Sequence, residues 1–261
     1  MLLTFNTTMT IFYFTATGNS LEVAKSLGGR CVSIPSVFDS DKLCFEDDAI
    51  GVVFPCHFSD IPMPVSLFLR KVTLNTPYLF GVVTYGEMCG DVCKILDEYG
   101  KNCGNSFNFI TSICMVDNYV PLWDVESQLK KLPKKDVPRQ LARLYKEVEE
   151  RKVGIQSVSL FGRLAGSFTR LVLGFMGNPY HRHRVEESKC NGCGVCSNVC
   201  PMGNILMDGR RPSVESFCIG CGACTHHCPQ NAIRWRGEKS RARYRNPSVS
   251  LLEIIHSARK L

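Results

Sequence analysis

Up to about residue 115 the chain alternates short, continuously apolar runs with segments whose apolar positions recur at helical spacing. Thr10–Thr15, Cys31–Ile34, Ala49–Phe54, Tyr78–Thr84 and Phe107–Met115 read as strands, since a run apolar on both faces fits a strand covered on both sides. Ser20–Leu27, Met63–Val72, Asp91–Tyr99 and Val125–Leu132 read as helices, and Gly28-Gly29 and Gly100 stop two of them. Strand–helix alternation requires right-handed crossovers, which predicts an α/β domain around a doubly wound, five-stranded parallel sheet. Ligands of such sheets bind beyond the carboxyl ends of the strands.

The pattern changes after residue 130. Val137–Lys152 is an amphipathic helix with Leu141, Leu144, Tyr145 and Val148 on one face. In Gly154–Tyr180, Leu160, Phe161, Leu164, Phe168, Leu171, Val172 and Phe175 form a helical apolar stripe punctuated by Gly162, Gly166, Gly174 and Gly177. Packing between two domains is the favoured reading of that stripe, and contact with a membrane surface the alternative.

Eight of the fifteen cysteines then fall in two matching runs. These are Cys190-x-x-Cys193-x-x-Cys196-x-x-x-Cys200-Pro201 and Cys218-x-x-Cys221-x-x-Cys224-x-x-x-Cys228-Pro229. A shift of 28 residues superimposes them and carries Ile205 onto Ile233, so one small unit is used twice. This is the bacterial ferredoxin spacing for two [4Fe–4S] clusters, in which the fourth cysteine of each run serves the other cluster. Cys190, Cys193, Cys196 and Cys228 are expected to hold cluster one, and Cys218, Cys221, Cys224 and Cys200 cluster two. Structural zinc usually shows separated pairs of cysteines, and a disulfide framework belongs to secreted chains. Residues 185–236 are thus expected to form a small α+β ferredoxin-like domain. Residues 1–152 precede it as the α/β domain, 153–184 connect the two as a basic amphipathic stretch, and 237–261 follow as a basic tail.

The first strand–helix junction carries Thr15-Ala16-Thr17-Gly18-Asn19-Ser20. Hydroxyls, a glycine and a helix start offer donors to one phosphate, and no lysine follows as it would in a nucleotide triphosphatase loop. Pro55-Cys56-His57-Phe58 leaves the third strand, Thr84-Tyr85-Gly86 through Gly90 the fourth, and Asp117 to Tyr119 the fifth. The junction resembles the FMN-phosphate loop of flavodoxins, and the later loops resemble those that hold the isoalloxazine. The two-part arrangement resembles the EFR1 family of flavodoxin–ferredoxin fusion proteins, over about residues 10–120 and 186–236. That resemblance implies an electron-transfer iron–sulfur flavoprotein with FMN and two [4Fe–4S] clusters, acting as a reductase or as a pure electron carrier for a partner enzyme. Negative charge from Glu87 and Asp91 would lower the flavin's potential, the equal alternative being that both are solvated surface acids. No nicotinamide fingerprint is present.

Charge adds a partner to this picture. Residues 1–129 carry 7 Lys/Arg and 14 Asp/Glu, residues 130–184 carry 13 and 4, residues 185–233 carry 3 and 4, and residues 234–261 carry 8 and 2. Basic flanks around a nearly neutral cluster region suit an acidic redox protein, ferredoxin or flavodoxin, with Arg241, Arg243 and Arg245 as candidate contacts. Nucleic acid is disfavoured, because aromatics do not interleave with the basic runs. A small-molecule acceptor at the flavin is a further possible partner. Met1–Phe14 has neither the basic start nor the cleavage site of a signal peptide, and no apolar run is long enough to span a bilayer. A cytoplasmic, oxygen-poor setting is the expectation.

Overall fold

The computed structural model describes residues 8–37, 43–158, 160–175 and 183–258. The first domain begins with β1 (Met9–Tyr13), α1 (Asn19–Ser26), β2 (Arg30–Ser33), β3 (Leu43–Glu46) and β4 (Ala49–Pro55). It continues through α2 (Met63–Lys71), β5 (Val72–Asn75), β6 (Leu79–Tyr85), α3 (Val92–Asn102) and β7 (Phe109–Cys114). The helices α4 (Val125–Lys135) and α5 (Val137–Glu149) and the short strand β8 (Gly154–Ile155) complete it.

The central sheet is parallel throughout, in the order β2-β1-β4-β6-β7-β8. Its five longer strands have the flavodoxin-like order 2-1-3-4-5, with the switch point between β1 and β4. The sheet has six strands rather than five, because Gly154–Ile155 adds a two-residue edge beside Phe109 and Ile110. β3 and β5 form a separate parallel pair in which Val72 leaves its helix and pairs with Leu43. The five long strands follow the expected apolar runs because both sheet faces are covered. Ile11, Val53, Val82 and Ile113 bury one face of the core, while Phe12, Val52, Phe54 and Val83 bury the other.

The second domain is built from β9 (His183–Val185), α7 (Val195–Asn198), β10 (Ile205–Asp208), β11 (Arg211–Val214), α8 (Ala223–His227) and β12 (Ile233–Trp235). The 28-residue shift carries β9 onto β11, α7 onto α8 and β10 onto β12. Each repeat completes the other, since β9 pairs with β12 and β10 with β11, both antiparallel. Gly194 and Gly222 begin α7 and α8 at φ 73° and 74°, a left-handed conformation that favours glycine.

Residues after 236 do not behave as a free basic tail. They cross the first domain as a strap ending in α9 (Leu251–Ser257), which a Ser250–Glu253 capping box starts. Tyr13 and Ser257 hydroxyls meet at 2.8 Å, and Ser33 donates to the Ser257 carbonyl. Lys25 pairs with Glu253 at 2.6 Å. Val249 and Ile254 join the same core cluster as Ile11 and Leu21. Arg243 is likewise no surface charge. Its side chain is 4% exposed and, with Arg234, grips the buried Glu238. Truncating Ile254, which is 2% exposed, to alanine is expected to cost about 2–4 kcal/mol in chemical denaturation. Leu252→Ala, at a position 66% exposed, is expected to change little.

A sixteen-residue helix, α6 (Leu160–Phe175), joins the domains. The helical reading holds, but the three stripe residues whose side chains are described face outward. Leu164, Phe168 and Leu171 are 63%, 67% and 59% exposed. The inward face uses Gly166, whose backbone sits so close to Gly90 that an added Cβ would lie 3.3 Å from its Cα. Arg170 then donates to the Ser59 carbonyl and to Asp91, each at 2.7 Å. Two glycines allow helix and loop backbones to approach more closely than leucines would, so the small face is the one that packs. The side chains of Leu160, Phe161, Val172 and Phe175, and residues 176–182, lie outside the described ones. Among the described residues no helix is long and apolar enough to cross a membrane.

Candidate functional site

Loops from the carboxyl ends of β1, β4, β6 and β7 meet loops of the small domain around one cavity. On its first wall, Thr15, Ala16, Thr17, Asn19 and Ser20 line the space and are all buried. Thr15 Oγ1 accepts the Gly18 N–H at 3.1 Å and tightens the turn. Gly18 begins α1 at φ 104°, and no side chain caps the first turn. A helix start that lacks a cap and is ringed by hydroxyls is a cradle for an anion. Neighbouring loops fix the hydroxyls, with Ser20 to Thr84 at 2.8 Å and Asn118 donating to Thr17.

The second wall is aromatic. Phe58 and Ser59 have φ 52° and 60°, in a two-residue turn closed by reciprocal His57–Asp60 backbone bonds of 3.1 and 2.9 Å. Such a turn usually takes asparagine or glycine, so this one stores strain, and it does so at the cavity. The Phe58 ring meets Tyr119 edge-on at 4.9 Å, and Tyr119 meets Trp235 edge-on at 5.3 Å. Pro55, Cys56, His57, Thr84, Tyr85, Gly86 and Asp117 also line the cavity. Gly18 and Gly90, counted with them from the sequence, do not. Gly18 packs against Asn246 and Val249 of the strap, and Gly90 against Ser59 and Gly166.

Charge near the ring wall is balanced. Lys131 binds Glu87 at 2.7 Å and holds its pKa below the ordinary carboxylate value. At Asp91, burial acts to raise the pKa, but the hydrogen-bonded Arg170 outweighs it and the pKa ends low. Neither acid therefore presents a lone negative charge, contrary to the expectation from sequence. Asp117 differs, since burial raises its pKa while it accepts the N–H groups of Glu87 and Tyr119.

His57 keeps some solvent contact, yet burial lowers its pKa to about 4. It is neutral at pH 7, which favours a donor or packing role over proton transfer there. A native pKa below the unfolded value means the unfolded chain binds more protons between about pH 6.5 and 4. Stability should therefore fall as pH drops through that window, by at most about 3 kcal/mol from this group. His57→Asn should flatten the dependence, as urea midpoints taken across pH would show.

The eight repeated cysteines fall into two groups. Cys190, Cys193, Cys196 and Cys228 line one cavity, and Cys200, Cys218, Cys221 and Cys224 line another. The second group lies nearer the first domain, because Gly220, Cys221 and Gly222 also form part of the wall beside Tyr119 and Asn118. The strand that closes this repeat contributes Trp235. Its buried Nε1–H lacks a hydrogen-bond partner in the described structure while its ring lines the cavity.

Sequence reasoning missed Trp235, Thr169 of α6 and the Gly220–Gly222 loop as cavity residues. His226 and His227 lie between Cys224 and Cys228. Both are buried, at 1% and 2% exposure, and pin the domains together. His226 Nδ1 accepts the Tyr244 N–H, so Nε2 donates to the Asn118 carbonyl at 2.8 Å. His227 Nε2 donates to the Ala16 carbonyl at 3.1 Å. The local signal available was their place between Cys224 and Cys228, on the helix that faces the neighbouring domain.

One comparison with known proteins speaks to the cysteine region. Residues 184–233 match a family model described as a 4Fe-4S dicluster domain. No curated protein matches the chain. Among solved structures, a Bacteroides uniformis protein described as a flavoprotein is 14% identical, with a TM-score of 0.32 over 41% of this chain and 90% of that one. The Flv1 flavodiiron core from Synechocystis sp. PCC6803 is also 14% identical, with a TM-score of 0.29 over 54% of this chain and 36% of that one. At those scores neither likeness bears on what this chain binds. The chain thus joins a flavodoxin-like α/β domain to a domain that matches the 4Fe-4S dicluster family.

Proposed function

We propose that the chain is an electron-transfer iron–sulfur flavoprotein of the EFR1 type, with FMN in the inter-domain cavity and two [4Fe–4S] clusters in the small domain. The observation that carries this reading is the shared wall. The Gly220-Cys221-Gly222 loop of one thiol set borders the same cavity as the Thr15–Ser20 cradle. A flavin holds two electrons while each cluster passes one, so together they couple one-electron carriers to two-electron chemistry.

The residues present suit these groups. Thr15, Thr17, Ser20 and the leading N–H groups of α1 would hold the phosphate. Phe58, Tyr85, Tyr119 and Trp235 would surround the ring, with the Trp235 N–H available as a donor. His226 and His227 fix the small domain against both the cradle and the Asn118 loop, which sets the spacing between donor and acceptor. The group expected to relay to the flavin is the one held by Cys200, Cys218, Cys221 and Cys224.

The partner reading is an acidic redox protein docking on Arg236, Arg241 and Arg245, which are exposed whereas Arg243 is not. One stopped-flow experiment tests route and partner together. Reduced acidic ferredoxin mixed with the loaded protein should bleach the flavin. Changing Arg236, Arg241 and Arg245 to Glu should slow this several-fold at low ionic strength and little at high salt. Rates indifferent to salt and to charge reversal would remove the docking surface, and a flavin that stays oxidised would remove the route.

A further inference from the structure

Seven of the fifteen cysteines lie outside the repeated runs, and three of the seven meet at one place. Cys56 follows β4, Cys89 lies in the loop after β6, and Cys93 is in the first turn of α3. The Cys56 thiol donates to the Cys89 carbonyl at 3.5 Å and to the Met88 carbonyl at 3.8 Å. The side chains of Cys56 and Cys93 both interact with that of Cys89 and lower its pKa. Cys31, Cys44 and Cys114 make their bonds elsewhere, to Gly29, Asn75 and Gly86.

The trio stands between two cavities. Cys56 lines the inter-domain cavity beside Thr84 and Tyr85. Cys89 and Cys93 line a second cavity of about 530 Å³, which Gly162 and Gly166 of α6 help to enclose. A thiol pair that reaches the proposed flavin on one side and an accommodating space on the other can pass two electrons between them.

We propose that Cys56 and Cys89 form a reversible dithiol–disulfide pair that reduces a small disulfide admitted to the second cavity. The proposal rests on the flavin reading of the first cavity for its source of electrons. Cys89 is the attacking sulfur because, of the pair, it is the one that lines the second cavity where the disulfide enters. The hydrogen bonds from Cys56 and Cys93 also hold its pKa down to about 4. Those same bonds, with burial, push the Cys56 and Cys93 thiols up, so they keep their protons.

In the first step the Cys89 thiolate bonds to one sulfur of the disulfide R–S–S–R. The S–S bond breaks, and the departing thiolate takes the Cys56 proton. Cys56 sulfur then attacks Cys89 Sγ, releases the second thiolate and leaves a Cys56–Cys89 disulfide. Two electrons have moved from the protein to the substrate, and one proton has left with the first thiol. Two electrons and one proton from a reduced flavin restore the dithiol.

The test uses the full-length, reduced, anaerobic protein treated with glutathione disulfide, then alkylated and mapped by mass spectrometry. The expected product links the Cys56 and Cys89 peptides in nearly every molecule. Cys56→Ser should stop at a Cys89–glutathione mixed disulfide, Cys89→Ser should give neither product, and Cys93→Ala should still form the link. A Cys89 that stays alkylatable while exposed Cys44 is fully modified overturns the proposal, as does a link from Cys89 to Cys93. The wild-type map decides even if a variant fails to fold. Flavin content, read from the same samples, separates the two readings. A bridge in protein that never binds flavin leaves the thiol pair standing and removes the flavin, and bound flavin with no bridge does the reverse.

Discussion

Replacing Cys228 with serine should remove the cluster bounded by Cys190, Cys193 and Cys196, about thirty-five residues away in sequence, and spare the one held by its near neighbour Cys224. The expectation follows from the two thiol cavities, each of which takes three sulfurs from one run and the last from the other. Iron should fall from about eight to about four per chain. The surviving cluster would be the one whose Cys221 loop borders the inter-domain cavity, so flavin reduction by a one-electron donor should persist. Cys200→Ser should give the same iron count with flavin reduction lost. If Cys228→Ser instead silences the flavin, the assignment of clusters to cavities is wrong.

A comparable loss is expected on the other side of the interface. Thr17→Asp puts a carboxylate in the anion cradle, where Thr17 lines the cavity and is 3% exposed. Two like charges about 4 Å apart at an effective dielectric of about 20 repel by about 4 kcal/mol. That corresponds to roughly a thousandfold weaker binding of FMN. Thr17→Ser keeps the hydroxyl that accepts from Asn118 and should bind normally. Equilibrium dialysis with FMN, and with riboflavin as the phosphate-free control, measures the effect. The aspartate variant should lose FMN affinity but keep most of what it has for riboflavin. Equal losses for both ligands would place the phosphate elsewhere.

What the sequence revealed depended on how local the cause was. The long parallel strands are legible because burial on both faces demands unbroken apolar runs such as Ala49–Phe54. The Thr15–Ser20 cradle is legible because a strand, a turn and a helix start are consecutive in the chain. β8 escapes because two residues carry no period, and β3 and β5 because their alternating exposure leaves no continuous apolar run.

Long-range closure is harder to read. Asn246 bonds Asn19 and Glu22 across more than two hundred residues, and no local pattern announces it. Arginine spacing suggests a basic tail, yet Ser250-Leu251-Leu252-Glu253 ahead of Ile254 and Ile255 is a capping signal for a packed helix. At α6 the periodicity gave the right element, yet Leu164, Phe168 and Leu171 face outward while Gly166 packs, because hydropathy scores leucine above glycine and close backbone packing favours the reverse.

The most direct test is to purify the chain without oxygen and count its cofactors. Acid-labile sulfide, iron and extracted flavin, each taken per polypeptide, should give about eight irons and one FMN. Zinc in place of iron, or a full iron count with no flavin bound after reconstitution, would contradict an electron-transfer flavoprotein.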